Sequence, residues 1–199
     1  FCITMSPEHG ELIKEVNYEP VGLGEKKFPK YFYTDKTGES ITSKNPFYGE
    51  YTFHYWLWKN QIKNLDDSWI GFCQYRKFWA FDEIFYKKIN YQELKNIILN
   101  DIPENLDSYE SILGEPLFVN QFRLSKFIKN NFITMLKRPI LFLDKRKRNI
   151  KFHFDMMHGQ GNLEKAINVL NKEDREDFSD FVNTNISFNP HNMFICKSQ

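Results

Sequence analysis

The sequence lacks a Gly-x-x-x-x-Gly-Lys-Ser/Thr loop, and no Gly-x-Gly-x-x-Gly turn follows its first apolar run. Those absences remove the commonest P-loop and dinucleotide-binding enzymes. It has no His-Glu-x-x-His helix and no Gly-x-Ser-x-Gly elbow, which removes the commonest metalloproteases and serine hydrolases. Cysteine is scarce: Cys2, Cys73 and Cys196 are 3 in number and far apart, and they suit neither a zinc knuckle nor a disulfide framework. Each lies in an apolar run, as buried free thiols of a reducing compartment would. No apolar run is long enough to span a bilayer, and no secretory leader is visible. Charge is nearly balanced, with 27 Lys and Arg against 26 Asp and Glu, so no global field draws nucleic acid.

Aromatic residues are abundant, with 20 Phe and 10 Tyr in 199 residues. Such rings fill cores, and their faces also stack on sugars and bases. The length suits one compact domain. The chain opens on Phe1 and closes on Gln199 just after a strand-like run, so the expectation is a single domain over 1–199 with its C-terminal part missing.

Phe1 to Met5 reads as a short buried strand, and Ser6-Pro7-Glu8-His9-Gly10 as a turn. Glu19 to Gly24 suits a second strand or an extended loop, and Tyr33 to Asn45 is polar and turn-rich. A helix is expected from Asn45, which can cap it, with Pro46 in its first turn. Phe47, Tyr51, Tyr55, Trp58 and Ile62 recur at helical spacing and define its apolar face. A strand from Trp69 leads into Gln74-Tyr75-Arg76-Lys77. Helices are expected at Tyr91–Asn100, Asn162–Leu170 and Asp174–Val182, and strands at Glu115–Val119 and Met193–Cys196. Strands alternating with helices argue for an α/β layered domain. Between Ser125 and Lys151, Lys126, Lys129, Lys137, Arg138, Lys145, Arg146, Lys147, Arg148 and Lys151 face only Asp144. Mixed with Phe132, Leu136 and Ile140, they suit an anionic membrane surface, a phosphate-bearing acceptor, or a solvated face over a buried stripe.

Three constellations can carry chemistry. Gln74-Tyr75-Arg76-Lys77 ends a buried strand, where open α/β sheets bind ligands; Arg76 could clamp a diphosphate there. Lys44-Asn45-Pro46 with Glu50 marks a helix N-terminus, which attracts anions, although capping alone also explains Asn45. His153, Asp155 and His158, and later His191-Asn192, offer imidazoles for general base work. Asp66-Asp67 stands at the wrong end of the Trp69 strand to be a transferase metal pair.

Several stretches form an ordered set: Asp35-Lys36-Thr37-Gly38, Ile41, Lys44-Asn45-Pro46, Tyr48-Gly49-Glu50, Trp56-Leu57-Trp58-Lys59-Asn60, Ile70-Gly71-Phe72-Cys73-Gln74-Tyr75-Arg76-Lys77 and His191-Asn192-Met193-Phe194-Ile195. Together they resemble a bacterial family of capsule, exopolysaccharide and lipopolysaccharide glycosyltransferases long catalogued as a domain of unknown function. The match is loose between Phe81 and Lys151. Gln74 departs from the family's usual His, and the chain stops where members continue.

The resemblance implies an α/β fold of Rossmann-like, nucleotide-sugar-binding, glycosyltransferase A type, with a mixed sheet flanked by helices. It implies transfer of sugar from a nucleoside-diphosphate donor to an oligosaccharide or lipid-linked acceptor. The setting would be the cytoplasm, at the inner face of the cell membrane, with peripheral contact through 126–151. Thr4, Asp35, Lys44, Asn45, Glu50, Tyr75 and Arg76 are the expected donor contacts, with Lys44 and Arg76 on the diphosphate. His191, Asn192 and His158 are the expected catalytic residues. Manganese or magnesium stays open, because no Asp-x-Asp follows the Trp69 strand. The rival readings are a non-catalytic carbohydrate-binding or interaction module, and a nucleic-acid binder, which near-neutral charge disfavours.

Overall fold

The computed structural model describes residues 1–65, 68–80, 91–121, 132, 135–136, 139–144 and 147–198. Chain contacts divide them into two compact units: Phe1–Gly114 with His191–Gln199, and Glu115–Pro190. Asp66-Asp67 and most of the basic segment lie outside the described residues.

In the first unit, β1 (Cys2–Thr4), β2 (Pro20–Gly22), β3 (Tyr33–Thr34) and β5 (Cys73–Gln74) form a parallel sheet in the order β3-β2-β1-β5. The strands are short, and the central apolar pair β1 and β2 is buried throughout, as two-sided cover requires. Pleating sends Cys2 and Cys73, paired in register, to one face, where they meet Ile13 of helix α1 (Gly10–Glu15). Ile3 and Val21 turn to the other face and pack on Phe53, Trp56 and Leu57 of helix α3 (Tyr51–Asn60). Helices therefore cover both faces of a mixed α/β layer. Phe53 is fully buried, and truncating such a ring to Ala typically costs about 3–5 kcal/mol.

A three-stranded antiparallel sheet joins β4 (Trp69–Gly71), β9 (Phe194–Lys197) and β6 (Ser111–Leu113), with β9 in the middle. The run 69–74 belongs to both sheets and changes partner at Phe72, whose amide donates to Phe194 O (2.9 Å).

The sequence-based apolar face from Asn45 needs correction. The chain makes two helices, α2 (Asn45–Tyr48) and α3, parted at Gly49, where φ is 54°. That break shifts the helical phase, so a stripe counted straight through it falls on the wrong side. Thr52, Phe53, Trp56 and Leu57 are buried, whereas Phe47, Tyr51 and Trp58 are exposed. Asn45 makes no side-chain cap at all. Its amide donates to Gly49 O (3.0 Å) and Thr52 Oγ1 (3.2 Å), tying α2 to α3.

Two parts of the motif series hold each other. Trp56 Nε1 donates to Thr37 O (2.6 Å), and Asn60 both accepts from Glu39 N and donates to Glu39 O (2.9 Å each). Gly38 sits between them at φ 62°, and a Cβ there would collide with the Asn60 side-chain amide. Only glycine fits.

The second unit pairs β7 (Leu117–Phe118) with β8 (Ser187–Phe188), antiparallel, beside the helices Ile150–His158, Asn162–Ile167 and Lys172–Thr184. Asn149 and Asn171 cap two of these, accepting from Phe152 N (2.8 Å) and Asp174 N (3.0 Å). Val119, Ile150, Leu163, Ile167 and Val182 form its core. Among the described residues, no helix is long and apolar enough to cross a membrane.

Candidate functional site

From β1 the chain winds outward through β2 and β3, then returns to place β5 on the other side of β1. The strand order therefore reverses between β1 and β5. The loops leaving those two strands part there, and the opening beyond their carboxyl ends is where such sheets receive ligands.

Polar residues converge on this edge from both faces. On the α1 side, Thr4 is buried at the end of β1, and its Oγ1 lies 2.6 Å from His9 Nδ1. The His9 ring stacks on Tyr75, with centroids 3.9 Å apart and planes 12° from parallel. Arg76 is exposed, its guanidinium 5.1 Å from the Tyr75 ring centre. On the α3 side, Gln74 Nε2 donates to Glu50 Oε1 at 2.6 Å. Asp35 follows β3 and is fully buried; its Oδ1 accepts from Thr42 Oγ1 (3.0 Å), and its backbone carbonyl from Ser40 Oγ. Asp35 Oδ2 and Glu50 Oε2 are both buried without a hydrogen-bond partner among the described residues. Lys44 is exposed one residue before Asn45.

The segment His191-Asn192 closes in from the far end of the chain. Tyr51 OH donates to Asn192 Oδ1 (2.8 Å), and Lys77 Nζ stands 3.0 and 3.1 Å from the two ring nitrogens of His191. His158 belongs to the second unit, where it is exposed at the end of the helix Ile150–His158 and packs against Phe154.

One turn beyond Glu50, His54 packs between Phe72 and Phe194, with ring centroids at 4.4 and 5.3 Å. Burial drives its pKa down from 6.5 to about 4, because water no longer solvates the imidazolium. It is a neutral support beneath the edge.

The first unit therefore brings together Thr4, Asp35, Glu50, Tyr75 and Arg76, with His191 and Asn192 tied to neighbouring elements. Both amide hydrogens of Asn45 are spent inside the chain. Sequence reasoning missed His9 and the partnership of Gln74 with Glu50. The signal for His9 was its place in the first loop after the first strand; the Gln74–Glu50 pairing had none. No group of three or more His, Cys, Asp or Glu side chains among the described residues is arranged to hold a metal ion.

A cavity of about 610 Å³ opens at the opposite end of the strands, lined by Phe1, Tyr18, Glu19, Phe72 and Trp79. Phe1, Glu19 and Phe72 stand just before β1, β2 and β5, so this volume lies at the amino edge. In open parallel sheets ligands bind outside the carboxyl ends of the strands where the order reverses, and that rule favours the opposite edge.

Residues 3–199 match the family described as Domain of unknown function (DUF4422). No curated protein matches the chain. Among solved structures it is similar to an apo structure of a bifunctional glycosyltransferase, WbbM, at 21% identity and a TM-score of 0.48. The match covers 90% of this chain and 30% of that one, so the chain spans less than a third of that protein's length. On the extent of the family match, the chain belongs to the DUF4422 family.

Proposed function

We propose that this chain is the donor-binding part of a glycosyltransferase that takes sugar from a nucleoside-diphosphate sugar. One observation carries the reading: polar and cationic side chains converge at the carboxyl edge of the parallel sheet, where its strand order reverses. The resemblance of the motif series to that of capsule and exopolysaccharide transferases supports the same class.

The parts have distinct roles. Thr4 and the His9–Tyr75 stack form a rigid flank for base and ribose. Arg76 and Lys44 supply positive charge for the diphosphate. As the sugar–phosphate bond breaks, negative charge grows on the departing diphosphate, and fixed cations lower the energy of that state. Asp35 Oδ2, buried and short of a donor among the described residues, suits a nucleotide N–H or O–H. The described carboxylates do not assemble a metal site by themselves, so no step is assigned to a divalent ion.

The acceptor in this reading is a lipid-linked oligosaccharide met at an anionic membrane surface. Phe132, Leu136, Ile140 and Leu143 are each more than half exposed, at helical spacing, in a segment whose neighbours are basic. Co-sedimentation with anionic vesicles that weakens as salt rises is expected; equal binding to neutral vesicles, or none to either, removes this surface from the proposal.

Thermal unfolding against a panel of nucleoside diphosphates and nucleotide sugars, with and without manganese, tests the function directly. A ligand at about a hundred times its Kd adds roughly 2.7 kcal/mol, a shift of about 5–11 °C for a chain of this size. A selective shift with one nucleotide sugar is expected. Stabilisation by free oligosaccharides and by no nucleotide would instead mark a carbohydrate-binding module.

A further inference from the structure

Glu50 and Gln74 come from different elements, the N-terminus of α3 and the last residue of β5, and meet at 2.6 Å. A carboxylate can only accept hydrogen bonds, so the Gln74 amide must turn its nitrogen towards Glu50. The amide is thereby locked in one sense, and its carbonyl oxygen, Oε1, faces away from Glu50. That oxygen is not among the buried unpartnered atoms and accepts nothing from the described residues. It is an oriented acceptor beside the strand-order reversal.

The cost of the arrangement points to function. Glu50 Oε2 is buried without a partner, and Gln74 supplies the carboxylate's one side-chain hydrogen bond among the described residues. A neutral amide or an apolar side chain would fill the same space without that desolvation penalty. Packing does not need an acid here, whereas fixing the polarity of Gln74 does.

We infer that Glu50 and Gln74 form a subsite for the sugar part of the donor, in which Gln74 Oε1 accepts from a sugar hydroxyl and Glu50 holds the amide in that sense. Aliphatic hydroxyls are the donors a nucleoside diphosphate sugar offers in greatest number. The diphosphate presents only acceptors, which a carbonyl oxygen beside a carboxylate repels. The inference rests on the donor-site reading above and names which part of the donor this corner reads.

Calorimetric titration of the full chain with a nucleoside diphosphate, and with the matching nucleotide sugar, separates the two parts of the donor. In Gln74→Ala, affinity for the nucleotide sugar should fall about tenfold, as one lost hydrogen bond implies, while affinity for the bare diphosphate stays unchanged. Glu50→Gln keeps shape and size but removes the polarity lock. It should lose a smaller part of the same sugar increment, with its unfolding temperature at or above that of the parent chain. Equal losses for both ligands, or no loss for either in Gln74→Ala, would overturn the subsite while leaving the donor reading intact. A parent chain that binds neither ligand would end the donor reading and this inference together.

Discussion

The two ends of the parallel sheet differ in kind. The amino end holds the volume: a cavity of about 610 Å³ lined by rings such as Phe1, Tyr18 and Trp79 and by acids such as Glu19, Asp101 and Asp107, in which Tyr18 OH donates to Leu99 O at 2.5 Å. Burial raises the pKa of that phenol, which keeps it a neutral donor. The carboxyl end holds the unfinished chemistry, with buried oxygens on Asp35 and Glu50 that lack a partner among the described residues, an exposed Arg76 and the His9–Tyr75 stack. Unspent hydrogen-bonding capacity marks a place for a ligand better than empty space does, because leaving a buried polar atom unpaired costs free energy that a bound molecule can return.

The largest effect should strike both ends together. His54 supports the Phe72–Phe194 junction between the two sheets, and its pKa is held near 4 against 6.5 when unfolded. A lowered folded pKa means that the unfolded chain binds the extra proton first. Stability is full above pH 6.5 and is lost as pH falls towards 4, by up to about 3 kcal/mol. Unfolding free energies measured from pH 7 to pH 4 should show that fall, and His54→Phe should flatten it. An unchanged slope in His54→Phe would assign the acid sensitivity elsewhere.

A paired comparison then separates the ends. Arg76→Ala should weaken nucleoside diphosphate binding about thirtyfold with little change in unfolding temperature, since the side chain is exposed. Tyr18→Phe should do the reverse on a smaller scale, costing about 1 kcal/mol of stability through the lost bond to Leu99 and leaving nucleotide affinity alone. If Tyr18→Phe weakened nucleotide binding while Arg76→Ala did not, the site would have been placed at the wrong end of the sheet.

Much of the fold was legible because short buried strands announce themselves. Cys2–Thr4 and Pro20–Gly22 fall inside the stretches that suggested them, Phe194–Lys197 overlaps the expected Met193–Cys196, and the helices Asn162–Ile167 and Lys172–Thr184 overlap the expected Asn162–Leu170 and Asp174–Val182. Several elements escaped notice, among them the strand Ser111–Leu113 and the helix Ile150–His158. Tyr33–Thr34 is a strand inside a polar stretch, made so by pairing with Val21 and Gly22, and α1 begins directly after a turn signal that was read as the whole feature. The buried face of α3 was misplaced because the pattern ran through Gly49 as if the helix were unbroken. At the site, Tyr75 and Arg76 were recognisable from their position at a strand end.

By itself, the sequence determined where chemistry could sit. Polar residues after apolar runs surface at strand ends, and glycines such as Gly38 and Gly49 mark where the chain turns. Only the tertiary structure decided which of those residues act together. The Gln74–Glu50 bond joins residues 24 apart, and Tyr51 reaches Asn192 across 141 positions. No periodicity carries such pairings. They exist because the sheet order places β5 beside β1, setting its end against the start of α3, and because β9 returns the far end of the chain to the same unit.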